Sequence, residues 1–187
     1  DNGEWGRAKG YLERYIPQDP KNADLLQKYA DACLKLTTDR IGSLRDAARA
    51  YQQILMYHPE REDLRQQLID LYSKLSAWST LESYTRGLLH RTPDDEALIY
   101  YNVLALDRMG KLDEAMKGYE ALVAKQTGRS DVYGSYARIL REKGLETRAD
   151  EVFTKARASR PQDGRIVADY ARFLARQSTW AEVQDLL

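Results

Sequence analysis

Arginines recur along the second half of the chain, at Arg108, Arg138, Arg141, Arg165, Arg172 and Arg176. A guanidinium is planar, stays charged and can hold a carboxylate through two parallel hydrogen bonds. The chemistry on offer is recognition of an anionic group, not bond-making. The residues that could make or break bonds are poorly arranged for it. His58 and His90 are the two histidines, and no third ligand is spaced to join them around a metal. Cys33 is the single cysteine and sits in an apolar column beside Tyr29 and Ala30, where packing is expected of it and not thiolate chemistry. None of the serines has the strand-turn-helix setting of a hydrolase nucleophile. Phosphate-cradling glycine loops, H-E-x-x-H and C-x-x-C are all absent from the sequence. The acidic pairs Asp94-Asp95 and Asp113-Glu114 fall where helices should start, and there they complement the helix dipole. The sequence therefore predicts neither an enzyme nor a bound metal or cofactor.

Something must position those arginines. The chain has 187 residues, of which 43% are hydrophobic and 31% charged, enough for a sizeable core. Lys and Arg number 29 and so do Asp and Glu, giving zero formal net charge. Global charge does not ask for nucleic acid or an anionic membrane. No apolar run approaches the length of a membrane span, and nothing assigns a compartment.

A repeat supplies the framework. Pro59 and Pro93 stand 34 residues apart, and Pro161 lies 68 beyond Pro93, with Thr127 at the skipped midpoint. Pro20 precedes Pro59 by 39, which is the same period plus five. Other columns keep the phase. One holds Ala8, Ala47, Leu81, Ala115 and Ala149; another holds Leu12, Tyr51, Thr85, Tyr119 and Phe153. A third holds Gly3, Gly42, Ser76, Gly110 and Gly144, and Trp5, Trp78 and Trp180 share a fourth. The tryptophan column is expected to pack between repeats. Each unit reads as two helices. Tyr29-Ala30, Tyr136-Ala137 and Tyr170-Ala171 mark the first, with Cys33, Leu140 and Leu174 one turn on. A glycine ends that helix because it accepts positive φ. The second presents residues such as Ala149, Phe153 and Ala156, and proline closes the unit.

A two-helix unit of this length and pattern resembles the tetratricopeptide repeat. The stretch "SDVYGSYARILREKGLETRADEVFTKARASRP" follows the family pattern almost throughout, and "GKLDEAMKGYEAL" follows its second helix. The resemblance, which also extends to bacterial multi-repeat proteins, spans the whole chain. It implies an all-α, right-handed α-solenoid of antiparallel helix pairs. The register divides it into a partial repeat at 1–22 contributing a second helix, full repeats at 23–61, 62–95, 96–129 and 130–163, and a partial repeat at 164–187. Leu81, Thr85 and Asn102 depart from the pattern, where the family usually has Ala, an aromatic and Leu. The five extra residues fall between Leu36 and Ala47 and are expected to lengthen a loop. Neither end carries a polar capping unit, and Leu186 and Leu187 are bare, which suggests an internal slice of a longer array.

The resemblance also places ligands. In this family the first helices line a concave groove, which here would be faced by Gln27, Asp31, Leu34 and Lys35 in the first full repeat, and by Gln66, Asp70, Ser73 and Lys74 in the next. The middle helix, "ALIYYNVLALDRMG", is apolar nearly all round; one face should pack through Ile99, Val103 and Leu106, and the other should put Tyr100 and Leu104 into the groove. Arg108, Arg138, Arg141, Arg172 and Arg176 follow, with Arg165 near. The alternative for that helix is burial on both sides. The arginines, for their part, could simply pair with Asp107, Asp131, Glu142 or Asp169 as a solvated face. The Lys-Asn set with which some members grip a C-terminal carboxylate is missing, since Gln27, Asp31, Gln66, Gln67 and Asp70 occupy those places. The expected function is a non-enzymatic scaffold that binds an acidic protein or peptide segment through Tyr100, Leu104 and these arginines. Self-association, or a regulatory part in a larger enzyme or secretion complex, is the alternative; nucleic acid and membrane insertion are not expected.

Overall fold

Four of the described helices end in the same way. After Leu75, Met109, Lys125 and Lys143 the backbone turns left-handed at Ser76, Gly110, Gln126 and Gly144, with φ of 52°, 75°, 55° and 72°. The amides of Ala77, Lys111, Thr127 and Leu145 then donate back to the carbonyls of Tyr72, Leu106, Leu122 and Leu140. These bonds satisfy carbonyls that the helix end would leave orphaned. Serine and glutamine carry a Cβ into this conformation, so Ser76 and Gln126 do with some strain what Gly110 and Gly144 do freely.

The computed structural model describes residues 2–176. Among these there are ten α-helices and no strand. They are α1 (Asn2–Tyr15), α2 (Ala23–Lys35), α3 (Arg40–Tyr57), α4 (Glu62–Lys74), α5 (Trp78–Leu89), α6 (Glu96–Arg108), α7 (Leu112–Ala124), α8 (Ser130–Glu142), α9 (Glu146–Ser159) and α10 (Gly164–Ala175), with a 3-10 turn at Ile16–Gln18. Asn22, Asp39, Asp95 and Asp163 cap helix starts by accepting backbone N–H bonds. The further second helix expected around Trp180, Val183 and Leu187 lies outside the described residues. Two compact units divide the chain at Leu81 and Glu82, within α5.

In the first unit, α1, α2 and α3 close on Leu26, Ala30, Cys33, Ala47, Tyr51 and Ile54, all at most 1% exposed. Bonds recur about one repeat apart: Lys9 to Asp46 at 2.6 Å, Gln53 to the Pro20 carbonyl, and Arg61 to Gln27 at 2.8 Å. The insertion does not lengthen a loop as expected. The turn is only Leu36–Asp39, and α3 runs to 18 residues against 13 in α2. Gly42 thus lies inside a helix and is no turn glycine. Two contacts explain the shift: Asp39 accepts from the Gly42 amide, and Arg40 donates to the carbonyls of Leu34 and Leu36 at the end of α2. The extra residues satisfy orphan groups of both helices, which a loop would have left to water.

The second unit packs α6 to α10 around Tyr119, Leu122, Ile139, Leu140, Ala149 and Phe153. Gly118 lets α6 approach, because a Cβ there would collide with Val103. Phe153 stacks on Tyr170 at 5.1 Å between centroids. Neighbours one repeat apart are again tied: Tyr100 to Asp131, Arg138 to Asp107, Lys143 to Asp113, Ser130 to Asp163. The departures from the repeat pattern are coupled. Thr85 is fully buried, and Asn102 donates to its hydroxyl and to the Glu82 carbonyl, both at 3.1 Å. An aromatic-leucine contact has been exchanged for a hydrogen-bonded polar pair.

Candidate functional site

Helix α8 buries Val132, Tyr133, Tyr136, Ala137, Ile139 and Leu140, which leaves the row Asp131, Gly134, Ser135, Arg138 and Arg141 on its other side. Helix α10 buries Ile166, Phe173 and Leu174 and presents Arg165, Asp169, Arg172 and Arg176 at helical spacing. The two rows border one concavity of about 310 Å³, with Phe153 and Phe173 among its lining. Gly134 shapes it, since a Cβ there would come within 2.7 Å of an Asp169 carboxylate oxygen. The absent side chain lets α10 lie close.

Five arginines and two aspartates line this space, an excess of three positive charges in a chain of zero net charge. The arginines are of two kinds. Arg138 bridges Asp107 and Glu142, and Arg172 pairs with Asp169. Among the described residues Arg141, Arg165 and Arg176 enter no ion pair. Three charged forks therefore stand at the rim of a hollow at whose base the almost fully buried Phe153 and Phe173 show only their edges. That arrangement suits an anionic group carried beside apolar surface.

Of the eight residues expected to bind, Arg138, Arg141, Arg165, Arg172 and Arg176 come together here. The other three are placed elsewhere. Tyr100 is 8% exposed, donates its hydroxyl to Asp131 at 2.6 Å, and has Arg129 stacked 4.0 Å from its ring centre. Burial first, and then that carboxylate, push its phenol up to about 12. Leu104 is half-buried against the core, and Arg108 is exposed on α6. The helix that looked apolar all round is thus packed on both sides, as the alternative reading had it, and offers no exposed tyrosine. Sequence reading missed Phe153 and Phe173 as lining residues; the aromatic column that holds Phe153 was the available signal.

Elsewhere the reactive side chains are quiet. Cys33 is fully buried, and burial pushes its thiol up to about 11, against a smaller opposing effect of Lys9. His58 is held between the Lys21 carbonyl and Glu60. Among the described residues no three His, Cys, Asp or Glu side chains are grouped to hold a metal, and no helix is long and apolar enough to cross a membrane.

Known structures share this architecture. YrrB, described as a TPR protein with an unusual peptide-binding site, superposes with a TM-score of 0.64 at 18% identity, over 89% of this chain and 83% of its own. MamA matches with a TM-score of 0.62 at 20% identity over 83% and 82%, and MamA from Desulfovibrio magneticus RS-1 with 0.62 at 17% over 87% and 89%. This is the fold of a tetratricopeptide-repeat solenoid. No protein-family model and no curated protein matches the sequence. In the register expected from the sequence, α8 and α10 are the first helices of successive units, and the arginine-lined concavity lies between these two helices.

Proposed function

We propose that this chain is a non-enzymatic interaction scaffold that docks an acidic protein segment between α8 and α10. The observation that carries the reading is the trio Arg141, Arg165 and Arg176, charged and without ion pairs among the described residues, around Phe153 and Phe173. Guanidinium groups give bidentate bonds to carboxylates, while the edges of Phe153 and Phe173 at the base of the hollow leave a small apolar contact for a side chain between them. Both rows sit on helices, so the surface is formed before the partner arrives and little ordering entropy is lost on binding. The YrrB peptide-binding site supports the same use of the fold.

Selection of a random-peptide library on the 187-residue chain tests this. The expected result is enrichment of sequences with two or more carboxylates flanking an apolar residue, lost on the Arg141→Glu/Arg176→Glu variant. Enriched peptides without carboxylates, or equal recovery on the variant, would overturn it. Steep salt dependence with any polyanion, RNA included, would point to charge alone.

A further inference from the structure

Arg138 has more carboxylate around it than its single charge needs. Its Nη2 donates to Asp107 and its Nη1 to Glu142, the latter at 2.6 Å. The two acids are not equivalent. Asp107 comes from α6, has a side chain only 11% exposed and also accepts the Tyr119 hydroxyl at 3.1 Å, so it is held from two sides. It neutralises Arg138 by itself. Glu142 is 41% exposed and is the last residue of the helix that carries Arg138. A carboxylate there faces the negative end of the helix dipole. Its pair with Arg138 is also the weaker i,i+4 order, with the acid C-terminal to the base. Of the two contacts, the one to Glu142 is the easier to exchange.

Arg138 nonetheless lines the concavity, one turn before Arg141 on the α8 row. The starts of α8 and α10 are tied by Ser130 and Asp163, and Gly134 lies against Asp169 further on, so the two helices run in the same direction. In the 34-residue register Arg176 then stands level with Glu142. We infer that Glu142 is an internal competitor for the acidic segment proposed above to dock between α8 and α10, an inference that rests on that docking. The segment's carboxylate takes the Nη1 edge of Arg138, Glu142 turns to solvent, and Asp107 keeps the other edge. One carboxylate replaces another, with no proton or covalent bond moved. Arg138, Arg141 and Arg176 then offer three forks at one end of the concavity, which suits two neighbouring carboxylates at that end of the segment.

The probe is the fluorescein-labelled, amidated peptide EALAEE, which has one acid before a leucine and two after it. Its binding to the 187-residue chain is followed by fluorescence anisotropy. Glu142→Gln should tighten it about two- to fivefold, the scale of an exposed ion pair no longer competing. The melting temperature should move by no more than about 2 °C. Glu151→Gln removes an exposed carboxylate of α9 outside the concavity and should leave Kd unchanged. Arg138→Lys keeps a charge for Asp107 but loses the second edge of the fork, and in that background Glu142→Gln should bring no gain. A gain that persists with Arg138→Lys, or that Glu151→Gln matches, overturns the inference, because net charge is then its cause. So does a melting temperature several degrees lower in Glu142→Gln, which would make Glu142 a structural tie. An unchanged Kd for Glu142→Gln overturns the competition and leaves the docking of an acidic segment standing. A peptide bound by neither chain overturns both.

Discussion

Replacing Arg141 and Arg138 one at a time should separate binding from stability. Arg141 lines the concavity and enters no ion pair among the described residues, so Arg141→Ala removes only a fork offered to the occupant. A hydrogen-bonded contact to a charged group is worth about 1.5–3 kcal/mol, which is roughly 10- to 150-fold in Kd. Arg141→Lys keeps the charge but loses the paired geometry and should fall between wild type and alanine. Arg138 differs because its partner is hidden. The Asp107 side chain is only 11% exposed and accepts bonds from Arg138 and from Tyr119. Arg138→Ala leaves that carboxylate to Tyr119 alone, at a cost of about 1–3 kcal/mol. At roughly 2–4 °C per kcal/mol for a chain of this size, melting should fall by several degrees. Circular dichroism gives the melting curves, and fluorescence anisotropy with a selected acidic peptide gives Kd. An Arg141→Ala protein that melts several degrees low, or that binds the peptide unchanged, would refute the division of the arginines into free and engaged groups.

Ser76→Gly should raise stability by about 0.5–1 kcal/mol in urea unfolding, because glycine relieves a φ of 52° in the turn where Gly110 and Gly144 already serve. Asn102→Ala should destabilise by about 1–2 kcal/mol, and a cycle with Thr85→Val should show coupling of at least about 0.5 kcal/mol, since the two side chains bond each other in a buried site. The Ser130 hydroxyl, then the Ile166 and Arg165 amides and the Arg160 charge, hold the Asp163 carboxyl below its usual range despite opposing desolvation. Its contribution is therefore complete above the unfolded carboxylate value of about 3.9 and is lost as pH falls below it through the lower folded value. Asp163→Asn should flatten that part of an acid-unfolding curve followed by circular dichroism.

Much of the architecture was legible because each repeat solves the same local problem. In α3, α7 and α9 the Ala and Tyr/Phe columns place a buried small residue one turn from a buried large one, and the turns after α4, α6 and α8 take positive φ. Both requirements act on neighbours in sequence, so they leave a period that a single chain displays. The insertion escaped because length alone does not say whether extra residues enter a loop or a helix; Asp39 and Arg40 decided it by capping two helix ends. Thr85 and Asn102 looked like separate departures from the pattern, and only their proximity made them one compensated change.

What the sequence determined by itself was the periodic set of helices and the side each turns toward its neighbours. Which of those sides is covered was decided by tertiary structure alone. Tyr100 disappeared beneath Arg129 and Asp131, whereas Met56 on α3 stayed 66% exposed. An amphipathic pattern records that a face is apolar, but its burial depends on whether another element lies within van der Waals reach. The same holds for the arginines. Their charge is written in the chain, and their freedom to meet a partner depends on which carboxylates the packed helices bring near.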